Sequence, residues 1–497
     1  MTTPPFALEE ATVDSIHAAY RAGTLTTMQL VQAYLARIDA YDRKGPALRA
    51  LLTVNPKALE EAARLDAEYK AKKGQVGPLH GIPVILKDNF DTKDMPTTGG
   101  NLAMRDSRPS ADAFTVQRMR AAGALILAKS NLQEFARGGV SVSSLGGQVL
   151  NPYDLTRTPG GSSGGTGAAL AANFAVLGTG SDTGQSIRSP ASANALVGVR
   201  PTRGLVSRGG VMPNSFTQDE AGPIARTVKD AAYLLDVMAG FDPRDPVTAL
   251  GVGKAPASYA AALDASALRG ARIGVMGNLY GKEPRHAEVN RVMEQAMRTM
   301  EAQGATVVRF SVPGFDALAA NVGTDRWEAR AAFDKYFAEL GPRQPVTSFR
   351  QLVDSRTASP DIQKTMEAEI AIEDGLANAT YRERMLNRDK LRVLVAAKMA
   401  ELKLDAILYP LQRVLVAPAG QPDQPERNGV LSHGTGFPAV TFPAGFSTPT
   451  ATAPIGVPIG AELLALDYTE PRLLSLAYAF EQATHARKPP QSTPPLD

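Results

Sequence analysis

The chain has no cysteine, which excludes disulfides, thiol nucleophiles and thiolate metal sites. Histidine is scarce: His17, His80, His286, His433 and His485 are the five. None stands in HxxH or HExxH spacing, so no metal is expected. His17, His286 and His485 fall in helical stretches, which leaves His80 and His433 as candidates for a pocket. No apolar run approaches the ~20 residues that cross a membrane. The first residues, MTTPPFALEEATVDSI, lack a basic flank followed by an apolar stretch, so a cytoplasmic protein with no membrane partner is expected. An excess of one charge is also missing. There are 53 Lys and Arg against 50 Asp and Glu, a net charge of +3 over 497 residues. With no dense basic tract, nucleic acid is not an expected partner.

What is present is an α/β rhythm. Helices are predicted over 8–45, with Thr26 or Thr27 capping the second, then over 56–73, 112–122, 228–239 (capped by Thr227), 286–302 and 471–484. Short apolar runs predict strands at 82–86, 124–128, 195–199, 271–276, 305–310, 404–409 and 439–442. Residues 219–226, broken by Pro223, and 411–436 read as loops. Residues 240–268 read as a connector, and 314–400 as mostly helical. The Pro-rich tail 488–497 is expected to fray. No internal repeat is visible.

One stretch stands apart, from Pro159 to Ser192. Its hydroxyl residues fall in two clusters, Ser162-Ser163 and Ser181 to Ser186, joined by an Ala-rich helix of about Gly165 to Ala175. Glycines beside serines imply tight turns and close backbone approach. A P-loop needs Gly-Lys-Ser/Thr, and Gly160–Gly167 has no lysine. Gly178-Thr179-Gly180 is a weak match to a dinucleotide fingerprint. No cofactor is therefore expected. These glycines are better suited to turning backbone N–H groups toward a developing oxyanion. A serine there can be activated by a lysine whose pKa falls on burial. Lys87, directly after the buried run Ile82–Leu86, is the candidate, with a second serine as relay. A solvated strand end and a plain Gly/Ser-rich loop are the competing readings of these residues.

The motifs Lys87-Asp88-Asn89, Gly160-Gly161-Ser162-Ser163-Gly164-Gly165 and Gly180-Ser181-Asp182-Thr183-Gly184-Gln185-Ser186-Ile187-Arg188 together resemble the amidase signature family of serine hydrolases. Asn151-Pro152, Pro201-Thr202-Arg203-Gly204, Gly222-Pro223, Phe437-Pro438-Ala439 and Pro443-Ala444-Gly445 extend the resemblance along nearly the whole chain. It is densest over 75–240. The resemblance implies a Ser–cis-Ser–Lys triad: Ser186 as nucleophile, Ser162 after a cis peptide bond as proton relay, and Lys87 as base. It places the oxyanion hole on the N–H groups of Thr183, Gly184, Gln185 and Ser186. Ser163, Asp182, Arg188, Asp88 and Asp219 are expected to support the site. Gln185 departs from the Gly-Gly-Ser of many members; its side chain either packs behind the loop or narrows the acyl side of the pocket.

The fold implied is a single α/β domain over 1–497, a large mixed twisted sheet surrounded by helices, with the helical region 314–400 covering the substrate cleft. Met95, Met104, Leu145, Phe216, Trp327, Phe333 and Tyr336 are candidates for an apolar pocket wall. The activity implied is hydrolysis of a small hydrophobic or aromatic amide through an acyl-enzyme. A urethanase acting on carbamates, or an esterase, would use the same triad. A tRNA-linked glutamine amidotransferase component is set against by the lack of strong basic patches and by Gln185. A non-enzymatic small-molecule binding protein is set against by the presence of all three triad residues. The expected partner is a small amide or carbamate, and the expected state a monomer or homodimer.

Overall fold

The computed structural model describes residues 6–496. Its strands are β1 Leu51–Val54, β2 Pro83–Lys87, β3 Leu125–Ser130, β4 Val142–Ser143, β5 Gly147–Gln148, β6 Leu177–Asp182, β7 Val197–Arg200, β8 Glu220–Ala225, β9 Arg272–Met276, β10 Thr306–Phe310, β11 Ala406–Pro410, β12 Ala439–Phe446 and β13 Pro458–Leu464. Eleven form one mixed sheet in the order β1-β3-β2-β6-β8-β7-β12-β13-β11-β9-β10, and β4 pairs with β5 apart from it. β2 runs parallel to β3 and to β6, and β9 parallel to β10 and β11. The strands between these groups are antiparallel. Helices flank the sheet, giving the α/β architecture expected.

Local chemistry sets the helix starts. Thr12, Thr26 and Thr227 each accept a backbone N–H from three residues on, satisfying donors a helix leaves unpaired at its beginning. One continuous core of Val, Ile, Leu and Ala side chains fills the space between sheet and helices. A second, smaller core joins Met104, Phe135 and Met212 to the helices Asp325–Leu340, Phe349–Asp354 and Pro360–Ile370. This anchors the helical region to the loops beside the sheet.

Several stretches differ from the sequence reading. Residues 177–182 are a strand, and the helix between the serine clusters is shorter, Gly164–Ala171. Leu-Gly-Thr-Gly-Ser-Asp shows no apolar alternation because its glycines meet close neighbours. A Cβ at Gly178 would lie 2.5 Å from Thr166 Cγ2. Residues 220–225, expected as loop, are the central strand β8, with Pro223 opposite Thr179 of β6. Pairing with β7 is confined to Ala225 and Ile224, which leaves room for a residue with no N–H to donate. Within 411–436, also expected as loop, Val430–Thr435 is a short helix. β1 and β13 had no counterpart in the sequence reading.

The tail is docked, not frayed. Ser492 Oγ donates to Pro152 O, and Tyr153 OH to Lys488 O. The buried Arg37 guanidinium donates to Thr493 O at 2.8 Å, Pro494 O at 2.9 Å and Ala172 O at 3.0 Å, and pairs with Glu9 at 2.7 Å. Asp497 lies outside the described residues. Arg37→Met should strand these acceptors and lower stability by ~2–4 kcal/mol, read as a shift of the denaturant midpoint. An unchanged midpoint would show that the Arg37 bonds to the tail contribute nothing to the fold.

Candidate active site

The site forms where parallel β2 and β6 end side by side, at their carboxyl ends, a common location for ligand sites in α/β sheets. β2 ends on Lys87, and β6 on Ser181 and Asp182. Lys87 is fully buried, and no carboxylate forms an ion pair with it among the described residues. Its Nζ donates to Ser162 Oγ at 2.7 Å, to Ser181 Oγ at 2.9 Å and to Ser181 O at 3.2 Å. Burial holds the Lys87 ammonium down at about 7, against the pull of Asp182 and Asp219. A lysine so placed is partly neutral near pH 7 and able to take a proton.

Ser162 follows a cis peptide bond from Gly161. Its carbonyl accepts Gln133 N–H at 2.9 Å, and Ser141 Oγ, which donates to Gly160 O, fixes the same turn. The close approach behind it needs glycine: a Cβ at Gly165 would stand 2.1 Å from Asn131 O. Ser163 begins the helix Gly164–Ala171, and its N–H donates to Ser186 O at 3.2 Å. That bond ties the first serine turn to the second.

The backbone of the loop Thr183–Ser186 is held through its carbonyls. Thr183 O accepts from Gln218 Nε2, Gly184 O from Arg188 Nη2, Gln185 O from Ser189 N, and Ser186 O from Ser163 N. No protein acceptor among the described residues takes any of the four N–H groups of this loop. Buried N–H groups are almost always paired, so those of the buried Gln185 and Ser186 are an unfilled pair of donors, and those of the half-buried Thr183 and Gly184 extend the row. Beside Gly184 a Cβ would meet nothing within 4 Å, so that side of the loop is open. Gln185 is turned the other way. It is buried, does not line the adjoining cavity, and its Cβ packs against Gly429.

A buried ion network clamps this loop. Asp182 accepts from Arg188 Nε at 3.0 Å, Ile187 N at 3.0 Å and Arg200 Nη1 at 2.8 Å. Arg188 also pairs with Glu462 at 2.7 Å, and Glu462 accepts from Tyr409 OH and Thr441 Oγ1. Burial alone would raise the Asp182 carboxyl, but Arg188 and Arg200 hold it well below the usual carboxylate range. Asp219 accepts Thr183 Oγ1 at 2.6 Å together with the N–H groups of Asn214 and Ser215. Burial raises its carboxyl despite these donors.

Asp88 stands elsewhere: it pairs with Lys129 at 3.0 Å and accepts from Thr98, holding the segment after β2. Ser181 and Asn89 were given no role from the sequence. Ser181 Oγ accepts from both Lys87 Nζ and Asn89 Nδ2 at 2.9 Å. Its inclusion in the second serine cluster was the available signal.

A cavity of about 310 Å³ adjoins the site, reaching Ser181 and Thr183. Of the expected wall residues, Phe216 and Tyr336 line it. The others do not. Met95 is in the main core; Met104 and Phe333 are fully buried in the second core. Leu145 lies in the loop donating N–H to Gly100 O. Trp327 is flanked by Arg326 and Arg384, 5.1 and 5.0 Å from its ring. Val211, Met212 and Ala332 take their place in the wall. His80 is held by Leu65 O, and neither it nor His433 lines the cavity. Burial and three nearby arginines push the His433 imidazole well below its ordinary range.

Among the described residues no group of three or more His, Asp or Glu is placed to hold a metal ion. None of their helices is long and apolar enough to cross a membrane.

A lysine and serines converging on a loop of free N–H groups define a serine hydrolase of the Ser/Lys type. The family model described as Amidase matches residues 29–474, and the chain belongs to that family of amidase-signature hydrolases. A probable amidase of Arabidopsis thaliana is 34% identical, over 98% of this chain and 92% of its own. A glutamyl-tRNA(Gln) amidotransferase subunit of Alkaliphilus metalliredigens is 35% identical over 96% of both chains. Among solved structures, the native peptide amidase of Stenotrophomonas maltophilia superposes with a TM-score of 0.87 at 38% identity, covering 98% of this chain and 99% of that one. The corresponding glutamyl-tRNA(Gln) amidotransferase subunit of Thermotoga maritima gives 0.73 at 27%, covering 96% and 95%.

Arg188 carries a clear structural test. Arg188→Met leaves Asp182 and Glu462 buried without their shared cation, which should cost ~3–5 kcal/mol of stability, measured by chemical denaturation. A loss below ~1 kcal/mol would mean that Arg200 and Tyr409 suffice to hold the network.

Proposed function

We propose that the chain is one amidase domain, 1–497, hydrolysing small, apolar or aromatic amides through an acyl-enzyme on Ser186. The observation that carries this is the Lys87–Ser162 hydrogen bond beside a loop whose four N–H groups are free. Neutral Lys87 takes the proton of Ser162 as Ser162 takes that of Ser186. Ser186 Oγ attacks the amide carbonyl, and the N–H groups of Thr183 to Ser186 receive the oxyanion, each such donor supporting ~3–4 kcal/mol of barrier lowering. The relay then returns a proton to the leaving amine as its C–N bond breaks. Water enters by the same path and its attack frees the acid.

The apolar wall of Val211, Met212, Phe216, Ala332 and Tyr336 supports an apolar substrate, and the helix Asp325–Leu340 supplies part of that cover. A free-standing amidase is favoured over a tRNA-linked component of a larger enzyme. The fold matches the peptide amidase with the higher TM-score and identity of the two structures compared. A carbamate or ester would follow the same route at Ser186.

Ser186→Ala should abolish release of amine from a panel of anilides, primary amides and aryl carbamates, and abolish labelling by serine-directed acylating reagents. Retained turnover would remove Ser186 as nucleophile. The pH profile follows from Lys87. The base acts when neutral, and its neutral fraction rises as pH climbs through about 7. kcat/KM should therefore increase about tenfold per pH unit below that value and level off above it. A profile flat from pH 5 to 8 would show that Lys87 is not the base.

A further inference from the structure

Glu220 opens β8, in register with Asp182 of β6, and lines the cavity that reaches Ser181 and Thr183. It is 2% exposed, and no protein donor among the described residues reaches either carboxyl oxygen. The other three acids of the cavity wall are all engaged. Asp219 holds Thr183 and the 214–215 backbone, Asp245 is paired with Arg208 at 2.8 Å, and Glu339 with Lys335. The neighbouring arginines direct most of their donors elsewhere, although Arg200 Nε and Arg203 Nε have no hydrogen-bond partner. Arg203 donates to Phe216 O and Thr217 O, and Arg200 to Asp182 and Gln218 O. A buried acceptor pair left free at a cavity wall is a feature native structures keep for a reason.

The charge around it selects the kind of donor. Arg208, Arg200 and Arg203 bear on Glu220, with Asp245 the nearby like charge. A cation seated at this end would be repelled by three guanidinium groups, whereas a neutral N–H group would carry no charge for them to repel. We propose that Glu220 is a specificity-determining residue that accepts a hydrogen bond from a neutral N–H group, a second amide or ureido nitrogen, carried by the substrate beyond the carbonyl attacked by Ser186. This rests on reading the cavity as the substrate site.

The test compares an N-acylamino-acid amide with its analogue in which the second N–H is replaced by an ester oxygen, each followed by ammonia release. The wild-type protein should favour the N–H substrate by about 10- to 100-fold in kcat/KM, mostly through KM. Glu220→Ala should reduce that ratio to below about threefold, and Glu220→Gln, which keeps one acceptor oxygen, should retain part of it. A wild-type ratio near one overturns the proposal, as does an equal loss on both substrates in Glu220→Ala. A preference for an ammonium-bearing analogue overturns it too, by assigning the site to a cation. Should Glu220→Ala not fold, the wild-type ratio and Glu220→Gln decide. Calorimetric binding of the same pair to Ser186→Ala separates this proposal from the hydrolase reading. Selective binding without wild-type turnover supports Glu220 and removes the hydrolase, and equal binding removes Glu220's role whatever the turnover.

Discussion

The rest of the site depends on keeping one lysine amine buried without a carboxylate against it. The sheet contains two buried lysines on neighbouring parallel strands, and they meet different fates. Lys129 of β3 is paired with Asp88 at 3.0 Å. Lys87 of β2 is given only hydroxyl and carbonyl oxygens, with Asp182 and Asp219 acting from a distance. An oxygen ligand accepts a hydrogen bond from either protonation state of an amine, whereas a carboxylate would hold the ammonium. The arrangement costs stability. Between about 7 and the ordinary value of 10.5 the unfolded chain binds a proton that the folded one does not. The folded state therefore gains from this residue as pH rises through that window. A buried amine with a lowered pKa is the kind of group that active sites retain at such expense.

The second constraint is on direction. A peptide loop offers N–H and C=O in equal number, and free donors arise only if the carbonyls are pinned elsewhere. Gln218, Arg188, Ser189 and Ser163 pin the four carbonyls of residues 183–186. Two of these donors belong to larger structures: Arg188 to the Asp182–Glu462 network joining β6 to β13, and Ser163 to the turn that carries Ser162. The free N–H groups and Ser162 are thus positioned by one set of bonds, so a shift in either turn moves both.

Lys87, Ser162 and Ser186 were picked out through a resemblance carried by three separated motifs, and the fold sets Lys87 against Ser162 and ties the 162–163 turn to Ser186. The sheet was legible where apolar runs mark buried strands, as at 82–86 and 271–276. β6 and β8 were not, because both lie where close packing demands glycine or tolerates proline, and neither leaves an apolar alternation to read. The pocket wall was legible least. On the helix Asp325–Leu340, Phe333 lies in the second core while Ala332, Lys335, Tyr336 and Glu339, spaced three and four apart, face the cavity. Helical periodicity identifies such faces, but which one meets a core and which a cavity depends on neighbours more than a hundred residues away, Met104, Phe135 and Met212 among them.

Gln185 shows how the loop accepts a bulky residue next to Ser186 without losing its free N–H groups. The side chain leaves on the side of Gly429, where a Cβ would come within 2.9 Å of Gln185 Cβ and 2.3 Å of Gly184 O. Residue 429 is thus kept to glycine by the loop it covers. Its carbonyl in turn accepts from Arg188 Nη2, the guanidinium that pins Gly184 O. Bulk at 185 and its absence at 429 are therefore one adaptation, and it fills space behind the loop. The open side remains at Gly184, next to the free N–H groups, so the departure from a glycine pair alters the support of the 183–186 loop and leaves the approach to it clear.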